Sequence, residues 1–364
     1  MKTRAPATTR AKTATARKPA AATGQVVLVL QGGGALGAYQ VGVYRALHEA
    51  GIEPDWVIGT SIGAINGALI AGNRAEDRLR RLHEFWDGVD QATPVEAQGI
   101  ATFFEPNVAA WQGLQATLGV EAASYYSTVP LYKTLSALVD FKRLDAGATR
   151  LTVGAVNVKS GQMHYFDSRD VRLSIAHIMA SSALPPAFPA VRVDGEPYWD
   201  GGVYSNTPLE AVLDDRRRRD SLIFAVNVWQ PEGPEPESIW QVMGRMKDIQ
   251  YSSRADSHIV RQQQIHHLRH VIRELSLRLP ASRQGEADVQ ELASWGCGTT
   301  MHVVRLLAPR LDGEDHTKDI DFTAAGIHAR LEAGYADTLR VIERAPWEAP
   351  TDPIEGVIVH DAHT

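Results

Sequence analysis

The chain has 364 residues, of which 44% are hydrophobic, with one cysteine and a formal net charge of −6 at pH 7. This length suffices for one large α/β domain, alone or with an appended region. A single cysteine excludes an internal disulfide, no apolar run reaches the ~20 residues that span a bilayer, and the acidic body argues against nucleic-acid binding as the main function.

The first 24 residues are basic and differ from the rest of the chain. They carry a charge of +6 with no acidic residue, which leaves −12 on the remainder. Alanine, threonine and basic residues without apolar periodicity predict a disordered tail over residues 1–24. A solvated arm is the favoured interpretation, and weak attachment to anionic lipid or nucleic acid is the functional alternative. The cations are Lys2, Arg4, Arg10, Lys12, Arg17 and Lys18.

A glycine-rich turn follows the first apolar run, residues 26–30. Gly32, Gly33 and Gly34 precede an amphipathic stretch, so the segment predicts a strand, a tight turn and a helix. Backbone N–H groups near a helix N-terminus stabilise a developing negative charge. The three glycines are therefore candidates for an oxyanion hole.

The same turn also fits the glycine fingerprint of dinucleotide-binding folds, with Glu53 about twenty residues further on. In those folds the acidic residue lies at the carboxyl end of the second strand. Here Glu53 precedes the second apolar run, residues 56–58. This order disfavours an oxidoreductase.

A second glycine-framed turn exposes a serine. Gly59, Ser61 and Gly63 form the Gly-x-Ser-x-Gly pattern of a nucleophile elbow, in which small neighbours let the backbone and the substrate approach the serine. The short strand before it and the apolar helix after it, residues 62–70, support this interpretation. A buried helix rich in small residues, packed on a sheet, is the structural alternative.

The apolar residues of the two segments that follow the elbow predict a helix and a cap. Residues 74–86 predict an amphipathic helix with Leu79, Leu82, Phe85 and Trp86 as its buried stripe. Residues 88–130 hold aromatic side chains and a proline among glycines and polar residues, which predicts a cap over an acyl pocket, although core packing of the aromatic side chains fits equally well. These residues are Phe103, Phe104, Pro106, Trp111, Tyr125 and Tyr126.

Further strands and a second candidate catalytic residue follow. The apolar runs 151–158 and 222–228 predict buried strands, and residues 162–167 predict a hairpin partner that makes the sheet mixed. Asp200 precedes Gly201 and Gly202, so its carboxylate lies on a tight turn without bulky neighbours. A carboxylate whose pKa is raised by burial can act as the base for a serine hydroxyl.

The three motifs, glycine turn, serine elbow and Asp-Gly-Gly turn, resemble in type and order those of the patatin-like phospholipases, over about residues 25–230. The resemblance implies a three-layer α/β/α sandwich with a mixed, mainly parallel sheet. It further implies a Ser61–Asp200 dyad without a catalytic histidine, an oxyanion hole from the backbone of Gly32, Gly33 and Gly34, and hydrolysis of lipid acyl esters. More narrowly, the chain resembles a bacterial subgroup with a mostly helical C-terminal extension.

The chain departs from the family pattern at one position, and one other serine-hydrolase fold has to be considered. Many family members have Arg or Lys before the last glycine of the loop, where this chain has Leu36, which puts the preference for phospholipid over neutral esters in doubt. The α/β-hydrolase fold would need a histidine after Asp200. Several histidines follow, but none lies in a distinctive loop, and we expect His266, His267 and His270 to lie on a solvated helix face.

The composition changes after residue 230, which we predict as a domain boundary. Residues 25–230 form the predicted catalytic domain, and residues 231–345 an extension packed on it. The extension contains a long polar helix within 239–279, a strand over 300–307 at the edge of the sheet, and a helix over 323–344 capped by Thr323. Residues 346–364 are predicted to be loosely ordered.

The remaining expectations concern ligands, substrate and cellular location. No metal-ligand spacing occurs, so we expect neither metal nor cofactor. We expect a lipid or acyl-ester substrate, no specific nucleic acid, and a cytoplasmic protein with transient contact with membrane surfaces. The natural ester stays open among phospholipids, lysophospholipids, neutral lipids and polyesters of hydroxy acids. A catalytically idle lipid-binding or scaffolding protein is the alternative from another class.

Overall fold

The computed structural model describes residues 24–90, 129–252, 255–352 and 354–362. Within them, nine strands form one mixed sheet, in which neighbours in the series β5-β6-β3-β2-β1-β7-β8-β9 are hydrogen-bonded and β4 also pairs with β3. The basic tail up to residue 23 and the predicted cap residues from Phe103 to Tyr126 lie outside the described residues. The strands are β1 (Gln25–Leu30), β2 (Trp56–Thr60), β3 (Arg150–Asn157), β4 (Met163–Asp167), β5 (Val191–Val193), β6 (Glu196–Asp200), β7 (Ser221–Asn227), β8 (Met301–Leu307) and β9 (Val357–Asp361).

Helices cover both faces of this sheet. They are α1 (Ala38–Glu49), α2 (Ile62–Ala71), α3 (Ala75–Asp90), α4 (Val129–Leu138), α5 (Phe141–Asp145), α6 (Ile175–Ser181), α7 (Glu210–Leu213), α8 (Ile239–Ser252), α9 (Ala255–Leu277), α10 (Ala281–Gln284), α11 (Ala287–Ala293) and α12 (Ala324–Arg344). No helix among the described residues is both long and apolar enough to cross a bilayer.

Successive residues of β1 point to opposite faces of the sheet and enter different cores. Leu28 packs with α1, α2, α3 and α12 on one face. Val27 and Val29 pack with α7 and α9 on the other face. The parallel centre β3-β2-β1-β7-β8 is thus buried on both sides, and the predicted three-layer α/β/α fold with a mixed, mainly parallel sheet is confirmed.

The C-terminal region belongs to the same body as the rest of the fold. Helix α12 packs on α1 so closely that a Cβ on Gly42 would lie 1.9 Å from the Leu331 carbonyl oxygen. Thr323 caps α12 as predicted, because its side chain accepts a hydrogen bond from the Gly326 N–H. The domain boundary after residue 230 stays a prediction.

Three expectations for the C-terminal region are wrong. Strand β8 is not the edge of the sheet, because β9 pairs with it in parallel. Residues 346–364 are not loosely ordered throughout, because they contain β9, which extends the sheet by backbone hydrogen bonds and buries Val357. His266 and His270 are buried and not on a solvated face, because α9 turns them toward Gly356 before β9.

Candidate active site

The serine of the Gly-x-Ser-x-Gly motif lies at the corner between β2 and α2. Ser61 has φ 57° and ψ −126°, a conformation that costs on the order of 1–3 kcal/mol for a residue with a side chain. The corner leaves no room for side chains on its glycines. A Cβ on Gly59 would lie 2.2 Å from the Gly63 carbonyl oxygen, and one on Gly63 would lie 2.2 Å from that of Leu30. Both glycines are therefore sterically required.

Strand β3 brings Asp200 to the same corner. Because β4 occupies one edge of β3, β2 and β6 share the other edge. Strand β2 runs parallel to β3 and ends with Thr60 opposite Gly154. Strand β6 runs antiparallel and ends with Asp200 opposite the next residue, Ala155. The two strands meet end to end, which places Asp200 beside the serine that follows Thr60.

The Asp200 carboxylate is buried, with 1% of the residue exposed. Its Oδ1 accepts a hydrogen bond from the Gly202 N–H at 2.7 Å. Its Oδ2 is buried and has no partner of ordinary hydrogen-bond geometry among the described residues. Burial raises the pKa of Asp200 to about 7, although the nearby Ser61 hydroxyl and the Gly202 amide lower it in part. A group that can take up a proton near neutral pH thus lies next to a serine hydroxyl.

The two glycines after Asp200 make a short 3-10 turn, Gly201–Val203, against β3. A Cβ on Gly201 would lie 2.5 Å from the Gly154 carbonyl oxygen. A Cβ on Gly202 would lie 2.9 Å from the Asn206 Oδ1 atom. The close packing explains why the turn needs both glycines and why the aspartate is withdrawn from solvent.

In the glycine loop, hydrogen bonds fix the direction of the peptide groups. The Gly32 carbonyl accepts hydrogen bonds from Asn206 Nδ2 at 3.0 Å and from Trp229 Nε1 at 2.8 Å. The carbonyl and N–H of one trans peptide unit point in opposite directions. These bonds therefore turn the Gly33 N–H away from Asn206 and Trp229.

The three predicted oxyanion glycines are not equivalent. The Gly32 N–H donates to the Asn206 carbonyl oxygen at 3.1 Å and is already used. The Gly33 carbonyl accepts from the Leu36 N–H at 3.1 Å, which fixes the peptide unit that carries the Gly34 N–H. In the part of the chain that the structure describes, the N–H groups of Gly33 and Gly34 have no acceptor. Two free donors remain from the predicted three.

Gln31 ties this loop to three other segments. Its Oε1 accepts from the N–H groups of Val228 at 2.5 Å and Trp229 at 3.1 Å. Its Nε2 donates to Thr207 Oγ1 at 2.7 Å and to the Tyr251 carbonyl oxygen at 3.1 Å. Sequence reasoning missed these supports. Gln31 could have been singled out because it directly precedes the glycines. Its partners lie far away in the sequence and belong to no recognisable motif.

A cavity of about 210 Å³ joins these groups. It is bounded by the glycine loop, the serine and the aspartate, and elsewhere mainly by apolar side chains. Part of its lining comes from α8 and from the loop before α12. The lining residues are Gly32, Gly33, Gly34, Ser61, Ser182, Leu184, Pro185, Ala187, Phe188, Asp200, Gly202, Asn206, Trp229, Tyr251, Asp319, Ile320 and Phe322.

The rival interpretations find no support at this cavity. No histidine of the described residues lines the cavity, so the histidine that an α/β-hydrolase triad would need is not found beside Ser61 and Asp200 there. Glu53 pairs with Arg78 and His48 instead of approaching the glycine loop. Leu36 is buried outside the cavity lining. No group of His, Cys, Asp and Glu among residues 24–90, 129–252, 255–352 and 354–362 could hold a metal ion.

Comparisons with known proteins agree with these motifs. A family model described as patatin-like phospholipase matches residues 28–213, and one described as patatin phospholipase matches residues 249–354. Patatin-like phospholipase domain-containing protein 7 of Mus musculus is 28% identical over 210 residues, 56% of this chain and 13% of that protein. Lysophospholipase NTE1 of Yarrowia lipolytica is 26% identical over 214 residues, 58% of this chain and 13% of that protein.

Solved structures give a weaker likeness. The matching part spans 88% of this chain and 67% of the VipD chain from Legionella pneumophila, with 16% identity and a TM-score of 0.41. The curated relatives named above are much longer proteins, since the chain spans only 13% of the length of each.

Proposed function

The chain belongs to the patatin-like phospholipase family, and we propose that it is a serine hydrolase of lipid acyl esters that uses a Ser61–Asp200 dyad. The observation that carries this proposal is the adjacency of a strained, glycine-framed serine and a buried aspartate whose pKa lies at about 7. Perturbed titratable groups in a cavity are typical of catalytic sites. The mainly apolar lining suits an acyl chain.

The proposed reaction has two halves. In the first, Ser61 Oγ attacks the ester carbonyl carbon while the Asp200 carboxylate takes the hydroxyl proton. The C–O bond to the alcohol then breaks, and Asp200 returns the proton to the leaving alkoxide. In the second, Asp200 takes a proton from water, the hydroxide attacks the acyl-serine, and the released Ser61 oxygen regains the proton. The products are an alcohol and a carboxylic acid.

The backbone amides of Gly33 and Gly34 are the proposed oxyanion donors. Both glycines line the cavity, their N–H groups lack acceptors among the described residues, and the peptide units that carry these N–H groups are held by hydrogen bonds to the carbonyls. Such preorganised donors stabilise a developing oxyanion without reorganisation during the reaction. Gly32 has a supporting role in this proposal, because its own N–H is bound to Asn206.

The apolar lining favours a fatty acyl ester over a polar substrate. The named relatives include a lysophospholipase, which is consistent with a lipid substrate for this chain. Access to such a substrate requires contact with a membrane or a lipid aggregate, and we propose that this contact is transient.

Hydrolysis of p-nitrophenyl esters by the parent, Ser61→Ala and Asp200→Asn tests the dyad. We expect both substitutions to lower kcat by at least ~10³, because nucleophile and base act as a unit. Ser136→Ala, an exposed serine on α4 that donates to the Tyr132 carbonyl oxygen, is the matched control and should retain parental turnover. Parental turnover in Ser61→Ala would refute the mechanism.

Labelling by a fluorophosphonate separates the enzyme from a lipid-binding protein of the same fold. The parent should be labelled at Ser61, and Ser61→Ala should escape labelling. A parent that neither hydrolyses esters, even with lipid vesicles added, nor reacts with the fluorophosphonate would favour the binding protein.

A further inference from the structure

The cavity beside Ser61 has a second wall that comes from the C-terminal region. Tyr251 from α8 and Asp319, Ile320 and Phe322 from the loop before α12 line it; we call these four residues the C-terminal wall. We propose that this wall contacts the acyl chain of the substrate and sets its accepted length. The inference rests on the proposed hydrolase function and assigns the substrate class of the same site.

Backbone contacts hold the C-terminal wall against the glycine loop. The Ala35 N–H donates to the Asp319 carbonyl oxygen at 2.8 Å. A Cβ on Gly34 would lie 2.2 Å from that same oxygen. The Tyr251 carbonyl oxygen accepts from Gln31 Nε2 at 3.1 Å and from Asn206 Nδ2 at 3.3 Å. The wall is therefore in direct contact with the proposed oxyanion loop.

Two ion pairs join the two segments that form the wall. Lys247 on α8 binds both carboxylate oxygens of Asp319, at 2.8 and 3.0 Å. In the opposite sense, Lys318 binds Asp248 on α8 at 2.6 Å, and both side chains are buried, 7% and 5% exposed. The pairs run in both directions between α8 and the loop, so they fix the loop relative to the helix.

The chemistry that this wall offers to a substrate is apolar. The carboxylate of Asp319 is engaged by Lys247. The Tyr251 ring packs on the Trp229 ring with centroids 4.9 Å apart. Burial, with Asp200 and Asp319 nearby, raises the pKa of Tyr251 to about 12, so its hydroxyl stays neutral. Ile320 and Phe322 complete an uncharged surface.

The loop after α6 supplies the other apolar side of the cavity, with Leu184, Pro185, Ala187 and Phe188. An acyl chain esterified at Ser61 would lie among these residues and the C-terminal wall. The substrate class that this apolar lining indicates is an ester of a fatty acyl group, and the C-terminal wall limits the chain length that the cavity of about 210 Å³ accepts.

Two substitutions of opposite direction test the wall. Ile320→Trp adds side-chain bulk and narrows the cavity, and Phe322→Ala removes bulk and widens it. With p-nitrophenyl acetate, butyrate, octanoate and laurate, Ile320→Trp should lower kcat/KM for the longer esters relative to acetate by at least ~10-fold, and Phe322→Ala should raise that ratio. Ile239→Trp, on an exposed position of α8, should leave the profile unchanged.

The outcomes separate the wall from the dyad. Unchanged chain-length ratios in both wall variants, while hydrolysis still requires Ser61, would overturn the wall and leave the function standing. A parent inactive on all esters and on the fluorophosphonate would overturn the function and the wall with it. Should the thermal midpoint of Ile320→Trp fall sharply, the ratio in Phe322→Ala decides alone, because truncation at this partly buried position inserts no bulk.

Discussion

The two sides of the cavity are held in place by different forces. On the side of Ser61 and Asp200, backbone hydrogen bonds and close backbone packing leave no room for a Cβ at Gly59, Gly63 or Gly201. The C-terminal wall shares some backbone contacts with the glycine loop but is joined internally by charged side chains, with Lys247 bound to Asp319 and Lys318 to Asp248. The proposed catalytic groups thus lie where the backbone leaves no room for an added side chain. The proposed determinants of chain length lie where side chains form the surface and can be substituted.

The largest effect should come from removing one partner of the buried pair. Lys318→Met leaves Asp248 buried with Arg310, a half-exposed cation at 3.8 Å, as its remaining ion pair among the described residues. We expect a loss of about 3 kcal/mol in the free energy of unfolding, because the buried carboxylate loses its partner at 2.6 Å and the longer pair compensates only in part. Urea unfolding of parent and variant measures this change.

Two further variants sharpen that result. Lys318→Met combined with Asp248→Leu should recover most of the loss, since neither charge is then left alone. Lys159→Met breaks an exposed pair with Glu196, whose side chains are 62% and 46% exposed, and should cost less than ~1 kcal/mol. A Lys318→Met variant as stable as the parent would show that the pair does not hold the wall.

The difference between the Ser61–Asp200 side and the C-terminal wall also explains which parts of the site could be predicted from sequence. The elbow, the glycine turn and the Asp-Gly-Gly turn are visible because each requires glycines at fixed local spacing. Lys318 and Asp248 meet across 70 residues and belong to polar stretches without any special pattern. The C-terminal wall therefore could not be predicted from sequence, although the helical segments on either side of it could be placed.

Strand β9 and the buried histidines escape prediction for a related reason. Residues 357–361 form too short an apolar run to indicate a strand, and pairing with β8 supplies the stability that local propensity lacks. The sequence around His266 is mostly polar and indicates a solvated position. Tertiary packing decides its burial instead, and that burial lowers its pKa to about 4.

A second prediction addresses the rigid side of the cavity. In Gly32→Ala the new Cβ would lie 2.3 Å from Asn206 Oδ1 and 3.0 Å from Ser61 Cβ. Asn206 cannot move freely, because its Nδ2 is bonded to the Gly32 and Tyr251 carbonyl oxygens. Displacement of the loop should lower kcat by ~10²–10³, the usual effect of losing an oxyanion donor.

Gly88→Ala is the matched control for this substitution. Gly88 lies on α3, where an added Cβ would meet no other atom of the described residues within 4 Å, and alanine favours the helix. We expect full activity and slightly higher stability. Equal activity of Gly32→Ala and Gly88→Ala on p-nitrophenyl butyrate would mean that the glycine loop takes no part in the reaction.

The third prediction concerns the pH dependence of activity. Asp200 must be ionised to accept the serine proton, and its pKa in the folded protein is about 7. The value of kcat/KM should therefore rise about tenfold per pH unit below that pKa and level off above it. The inflection should be the same in Ile320→Trp, because the C-terminal wall acts on the substrate and not on the base. A profile flat between pH 5 and 8 would rule out Asp200 as the base.

The last effect is on stability, and its sign is opposite to that of most carboxylates. Because the folded pKa of Asp200 is raised above its ordinary value, the native state binds the proton more tightly than the unfolded chain, and stability from this group falls as the pH rises toward 7. Asp200→Asn removes that loss, so its stability relative to the parent should grow by about 3 kcal/mol between pH 5 and pH 8. Urea unfolding at both pH values measures the change. A constant difference would mean that the carboxylate is solvated, which would place the dyad outside a buried site.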